Sequence, residues 1–130
     1  GLDFSNETVN DTQKKIVAVA TNSAKYGISA RSGYCQAWVA DVYQAVTGSR
    51  GSAHCALCAA DMWAVSSDFS QIPVGATVYG YSSSKYGHVG IYIGNGMVAH
   101  NIGEIKIQSL ESWVKTYKGF AWGWENGKKL

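Results

Sequence analysis

The segment YGHVGIYIGNGMVAHNIG, residues 86–103, holds two of the chain's three histidines, His88 and His100. Its alternating apolar residues and its Asn95-Gly96 pair predict a β-hairpin. A histidine buried in a core needs no catalytic partner, whereas two histidines on one face of a hairpin indicate a site. The register of the hairpin decides between these interpretations.

Two loop lengths are compatible with this segment. A two-residue loop pairs Ile91 with His100 and places the two histidines on opposite faces. A three-residue loop, Gly94-Asn95-Gly96 with its last glycine in the left-handed bulge position, pairs Gly90 with His100. The histidines then share a face as diagonal neighbours, roughly 7 Å apart at the backbone. The clean apolar alternation favours the three-residue loop, and Gly90 would leave room for an imidazole opposite it.

Helical spacing dominates the sequence before this hairpin, and two-residue alternation dominates from just before it to the end. The predicted helices lie in NDTQKKIVAVATNSAKYG, CQAWVADVYQAVTG, SAHCALCAADMWAV and the later SLESWVKTY. The predicted strands lie in GATVYGY, HVGIYI, MVAHNI, EIKIQS and GFAWGW. This order predicts an α+β fold in which N-terminal helices pack on a C-terminal antiparallel β-sheet of about five strands. We expect a polar leader over residues 1–12 and a single domain over 13–130.

Composition excludes several classes of protein. With 130 residues, 46% of them hydrophobic and 15% charged, the chain is expected to fold as one domain. The net charge is +2 and the basic residues are scattered, so no nucleic-acid partner is expected. No apolar run approaches the roughly 18 residues of a membrane span.

Cysteine 35 is the predicted nucleophile. The chain has three cysteines, so at least one thiol stays free, and Cys35 opens a strongly amphipathic helix. A thiol pKa is expected to fall at a helix N-terminus and beside an imidazolium, and the first-turn N–H groups could stabilise an oxyanion. His88 would take the thiol proton and return it to the leaving amine, while His100 would hold the far nitrogen of His88.

The other two cysteines, Cys55 and Cys58 in HCALC, are interpreted as small packing residues of a helix. A zinc site would need four ligands, and no second ligand pair is present, so no metal is predicted. A disulfide within this helical turn is an alternative that would be strained. A redox protein that uses these two thiols remains a further alternative.

Four features occur in a fixed order along the chain: a cysteine that opens a helix, PVGATV at residues 73–78, HVGIYIGNG, and a histidine twelve positions after His88. This order resembles the NlpC family of papain-like bacterial cell-wall cysteine peptidases. The resemblance implies a papain-like fold over residues 13–130 and hydrolysis of peptidoglycan stem peptides, commonly between D-glutamate and the following diamino acid. It implies the catalytic triad Cys35, His88 and His100, and it matches Tyr26 to a tyrosine that helps to line the oxyanion site. It further implies an extracytoplasmic bacterial protein, with no cofactor. No signal peptide is visible in the chain, so we expect an export signal upstream and flanking wall-binding or lytic domains.

The nucleophile segment departs from the family motif. The usual Asp-Cys-Ser-Gly is replaced by Tyr34-Cys35-Gln36-Ala37, and Tyr34 cannot supply the charge that pairs with a free substrate amine. A peptidase acting on intact or cross-linked stems is therefore favoured. CQAW also resembles the related CHAP amidases and endopeptidases, so an N-acetylmuramoyl-L-alanine amidase, a cross-bridge endopeptidase and a non-catalytic wall-binding module stay open. The candidate substrate contacts are Tyr26, Tyr34, Gln36 and Tyr86.

Overall fold

A computed structural model describes residues 7–130 of the chain. Its helices are α1 (Asp11–Thr21), α2 (Cys35–Thr47), α3 (Ala56–Trp63) and α4 (Leu110–Tyr117). Its strands are β1 (Ala64–Ser66), β2 (Thr77–Gly80), β3 (His88–Gly94), β4 (Met97–Asn101), β5 (Ile105–Ser109) and β6 (Ala121–Gly123). All pairs are antiparallel, and the order across the sheet is β1-β6-β2-β3-β4-β5. In this part of the chain, no helix combines the length and the apolar character that crossing a membrane requires.

The predicted α+β fold is confirmed, and each of the five predicted strands is present. The sixth, β1, was predicted as the end of the third helix, because Ala64 and Val65 fit either state. The strand is held by pairing with β6, where Ala64 lies opposite Gly123. A Cβ added at Gly123 would lie 2.2 Å from the carbonyl oxygen of Trp63, so only glycine permits this approach. Tertiary contact, and not local propensity, therefore sets this strand.

Helices cover both faces of the sheet. One core cluster joins α1, α2 and α3 to Tyr79, Val89 and Ile91. A second cluster joins Leu110 and Trp113 of α4 to Val78, Tyr92, Val98 and Trp122. The N-terminal helices thus pack on the sheet as predicted, and α4 adds a layer on the opposite side.

The start of the domain is tied to the hairpin. Asn10 caps α1 in a capping box with Gln13, and the Glu7 carboxylate accepts a hydrogen bond of 3.0 Å from the Asn95 N–H. Residues 1–6 of the predicted leader lie outside the described residues. The boundary between leader and domain at residues 12 and 13 stays a prediction.

The hairpin adopts the register that places both histidines on one face. Ile91 pairs with Ala99 and Tyr92 with Val98, and the register then shifts so that Gly94 pairs with Met97. The turn itself therefore has two residues, Asn95 and Gly96, and the extra residue of the predicted bulge lies one step earlier, at Ile93. A bulge and a short turn together give the register that the sequence predicted for a three-residue loop.

Candidate active site

Helix α2 presents an open N-terminus to the site. Tyr34 is its N-cap, makes no side-chain capping hydrogen bond and leaves the first-turn N–H groups available. The preceding loop is held in place by Asn101 at the end of β4, whose Nδ2 donates to the carbonyl oxygen of Arg31 at 2.8 Å. Cys35, the first helical residue, is partly buried and carries the free thiol.

Two opposing effects act on the pKa of the Cys35 thiol. Burial is the larger effect and raises the pKa of Cys35, while the backbone N–H groups of Val89, Gln36 and Cys35 itself lower it. The net pKa is raised, so the expectation of a lowered thiol pKa is wrong. The helix N-terminus stabilises the thiolate as expected, but desolvation outweighs it. The resting sulfur is therefore protonated near neutral pH.

The two histidines form a direct hydrogen bond. The Nε2 of His88 lies 2.8 Å from the Nδ1 of His100, and the ring planes meet at 79°. His88 is 7% exposed and His100 is 0% exposed. A Cβ at Gly90 would lie 3.1 Å from the Cβ of His100, so the missing side chain at Gly90 does reserve the space that the sequence indicated.

Both imidazoles are neutral at physiological pH. Burial, and then the neighbouring His100, lowers the pKa of His88 to about 4. Burial also lowers the pKa of His100 to about 4, against the effect of its bond to Gln108, and the charge of Lys106 lowers it further. The site thus contains a neutral thiol and neutral imidazoles instead of a thiolate and an imidazolium.

Helix α4 adds an aromatic wall that links the histidines to the thiol. The Tyr117 ring stacks on His88 with centroids 4.2 Å apart, and Trp113 stacks beside it at 6.0 Å. The pKa of Tyr117 is raised by burial and by the nearby Cys35. The Val89 N–H, next to His88 in the sequence, also faces the thiol. The Cys35 thiol of α2 therefore lies against the start of β3, the strand that begins with His88.

A cavity of ≈ 330 Å³ opens beside Cys35. Its lining residues include Tyr34, Cys35, Gln36 and Tyr86 of the sequence prediction, together with His54 and Cys55. The structure does not bring Tyr26 to this cavity: that side chain is 42% exposed and accepts a hydrogen bond from the Lys15 ammonium at 3.3 Å. Gln36 borders the cavity, but its Nε2 donates to the buried Glu125 carboxyl.

Cys55 and Cys58 form a disulfide, so their interpretation as packing residues is wrong. Cys55 precedes α3 as its N-cap in an extended conformation and does not lie in the helix, which brings the two sulfurs together. Residues 7–130 contain no group of three or more His, Cys, Asp or Glu placed to hold a metal ion.

Sequence reasoning missed three residues around the site. Gln108 of β5 lies 3.0 Å from the Nε2 of His100, Tyr117 stacks on His88, and His54 lines the cavity. Gln108 could be found only from the register of β4 with β5, where Val98 lies opposite Gln108. For Tyr117 and His54 the sequence carries no comparable signal.

The structure is similar to solved NlpC/p60 domains. One is the crystal structure of the NlpC/p60 domain of the peptidoglycan hydrolase SagA, with a TM-score of 0.61 and 24% sequence identity over 88% of this chain and 98% of that chain. Another is NlpC2 from Trichomonas vaginalis, with a TM-score of 0.63 and 15% identity over 96% of this chain and 50% of that chain. No protein-family model matches the sequence, and no curated protein matches it. The resemblance seen in the sequence is thus confirmed as a shared fold: the chain has the fold of NlpC/p60 domains.

Proposed function

We propose that the protein is a cysteine hydrolase of peptidoglycan stem peptides, with Cys35 as nucleophile, His88 as general base and His100 as the residue that orients it. The observation that carries the proposal is the hydrogen bond between His88 and His100 on a sheet whose Val89 N–H faces a free thiol at an uncapped helix N-terminus. Nucleophile, base and orienting group in that order are the requirements of covalent amide hydrolysis. A fold shared with a peptidoglycan hydrolase domain supports the substrate class, and an extracytoplasmic location is part of the same proposal.

The neutral resting state determines the order of proton transfers. As the Cys35 sulfur attacks the amide carbonyl carbon, its proton moves to His88, and the developing imidazolium is stabilised by His100. The carbonyl oxygen becomes an oxyanion that the N–H groups of Cys35 and Gln36 can bind. His88 then gives its proton to the leaving amine, which leaves a thioester. Water, activated by His88, hydrolyses the thioester and restores the thiol.

The cavity favours a substrate without a free amino end. Its described lining residues include no aspartate or glutamate, and Tyr34, which is 51% exposed, stands where the family motif has aspartate. An ammonium group would find no carboxylate partner there. We therefore place the cleaved bond within intact or cross-linked stems, between D-glutamate and the diamino acid, with Tyr34 and Tyr86 as substrate contacts.

Digestion of purified peptidoglycan tests the proposal. The wild-type protein should release stem fragments whose new termini, identified by mass spectrometry, lie at the D-glutamyl bond. Cys35→Ala should release none, because it removes the nucleophile without filling the cavity. Ser49→Ala, an exposed change at the opposite end of α2, serves as the control for the preparation and should digest like wild type.

Other products would identify other activities. A new L-alanine amino terminus beside intact glycan would indicate an amidase, and cleavage within the cross-bridge would indicate an endopeptidase of that bond. Equal digestion by wild type and Cys35→Ala would contradict the thiol mechanism. Sedimentation with peptidoglycan without any product would indicate a wall-binding module.

A further inference from the structure

We propose that Gln108 is a positioning residue that, together with α4, fixes which nitrogen of each catalytic histidine carries the proton. The inference rests on the proposed function for its kinetic consequence, but not for its structural content. It concerns a chain of hydrogen bonds that runs from the surface of α4 through Gln108 and His100 to His88.

The contacts of Gln108 with α4 determine which partner donates in each hydrogen bond of this series. The Thr116 hydroxyl donates to the carbonyl oxygen of Ser112 at 2.8 Å, so its single proton is used there. The contact of 3.2 Å between Thr116 Oγ1 and the Gln108 amide must then be donated by the amide. The Ser112 hydroxyl lies 2.8 Å from the same amide nitrogen. Both contacts orient the NH₂ group of Gln108 toward α4.

The opposite end of the Gln108 amide faces the histidines. Its Oε1 lies 3.0 Å from His100 Nε2, and a carbonyl oxygen can only accept, so His100 carries its proton on Nε2. The neutral ring then has a bare Nδ1, which must accept the 2.8 Å bond from His88 Nε2. His88 therefore also carries its proton on Nε2, and its Nδ1 holds a free lone pair. A base that is to remove a thiol proton needs this state.

The reverse direction would disable the base. A flipped Gln108 amide would present its NH₂ to His100 and lose the hydrogen bond with Thr116. His100 would then donate from Nδ1, and the proton of His88 would move to its Nδ1. The charged or titratable groups that face His100 are His88, Lys106 directly opposite on β5, and Tyr117. None of these can take over the acceptor position that Gln108 holds at Nε2.

Nuclear magnetic resonance of ¹⁵N-histidine-labelled protein tests the assignment without any assay of activity. Long-range ¹H–¹⁵N spectra near pH 7 distinguish a protonated nitrogen from a bare one in each ring. We expect Nε2–H with a bare Nδ1 for both His88 and His100 in the wild-type protein. A proton on Nδ1 of either ring would overturn the inference, and this spectrum needs no variant to fold.

Variants then test the consequence for catalysis. Gln108→Leu removes the acceptor, so the tautomers should mix and kcat should fall roughly 10-fold to 100-fold, with KM nearly unchanged. Gln108→Glu keeps an acceptor at the same place and should restore the Nε2–H tautomer and most of kcat. Gln71→Leu, the same change at an exposed residue whose amide contacts only Ser70 among the described hydrogen bonds, should leave both unchanged.

The outcomes separate the two proposals. One outcome is that the wild-type protein shows the predicted tautomers, Gln108→Leu loses them, and the protein has no hydrolytic activity. That outcome would support the positioning role and contradict the proposed function. An active enzyme that depends on Cys35 but keeps its tautomers and its kcat in Gln108→Leu would contradict the positioning role alone. Thermal unfolding of each variant establishes that the compared proteins are folded.

Discussion

Glutamate 125, which lies two residues after the last strand, should make the protein less stable as pH rises toward neutrality. Its side chain is 1% exposed, and its oxygens lie 2.9 and 3.1 Å from the Nε2 of Gln36. Burial raises the pKa of Glu125 from 4.5 to about 7, with the Gln36 bond and the charge of Arg50 partly opposing that rise. Below pH 4.5 the carboxyl is protonated in both folded and unfolded chains. Between pH 4.5 and about 7 the unfolded chain ionises first, so stability is lost over this window.

The substitution Glu125→Gln removes this loss. At about 1.4 kcal/mol for each pKa unit, the rise corresponds to about 3 kcal/mol, all of it present at pH 8 and little of it at pH 4.5. Within residues 7–130, the buried Oε1 of Gln36 has no hydrogen-bond partner. A glutamine at position 125 keeps one oxygen that can accept from Gln36 Nε2, so part of the present hydrogen bonding is retained.

Urea unfolding of both proteins at pH 5, 6, 7 and 8 measures the effect. The titration of the histidines is common to both proteins and cancels in the difference at each pH. Glu104→Gln, the same change at an exposed position, corrects for the loss of one negative charge. We expect the Glu125→Gln advantage to grow toward about 3 kcal/mol as pH rises. A difference that does not change with pH, or a variant less stable than wild type at pH 8, would refute the reasoning.

Two further predictions concern the histidine pair. Because the pKa values of His88 and His100 are lowered to about 4, kcat/KM for wall hydrolysis should stay level down to about pH 5 and fall below it; a midpoint near 6.5 in the pH–rate profile would contradict a neutral buried pair. Gly90→Ala would place a Cβ 2.7 Å from Val98 Cγ1 and 3.1 Å from the Cβ of His100, so urea unfolding should show a loss of about 1–3 kcal/mol and digestion should slow; unchanged stability and rate would mean that the space beside Gly90 is not required.

The parts of this structure that the sequence predicted are those that local spacing determines. Cys35 does begin α2, because a breaker-rich segment precedes a strong 3.6-residue pattern. His88 and His100 do share a face, because period-two alternation and Asn95-Gly96 restrict the hairpin to few registers. The position of the bulge at Ile93 was beyond this reasoning, since either placement leaves the same residues paired farther along the strands.

The parts that the sequence did not predict depend on contacts between distant segments. Gln108 reaches His100 only after β5 has paired with β4 in one register, and Tyr117 reaches His88 only after α4 has packed on the sheet. The sign of the Cys35 pKa shift depends on how much of the thiol is buried, and that is a property of the assembled cavity. Sequence spacing identifies a thiol at a helix N-terminus, whereas solvent exclusion decides its charge.

Desolvation of this site keeps the thiol and the imidazoles uncharged before substrate binds. A raised thiol pKa and lowered imidazole pKa values mean that the ion pair is unfavourable before substrate arrives. In the proposed reaction, charge must therefore form during attack, on the sulfur, on the carbonyl oxygen and on His88 together. The groups that stabilise those charges are the N–H groups at the start of α2, the acceptor nitrogen of His100 and, behind it, Gln108. They contribute little to the neutral ground state, so their effect falls on kcat more than on KM. Under the proposed mechanism, a buried, uncharged resting site and an oriented hydrogen-bond chain are thus two parts of one arrangement, since the chain would allow a neutral histidine to become a base at the moment of attack.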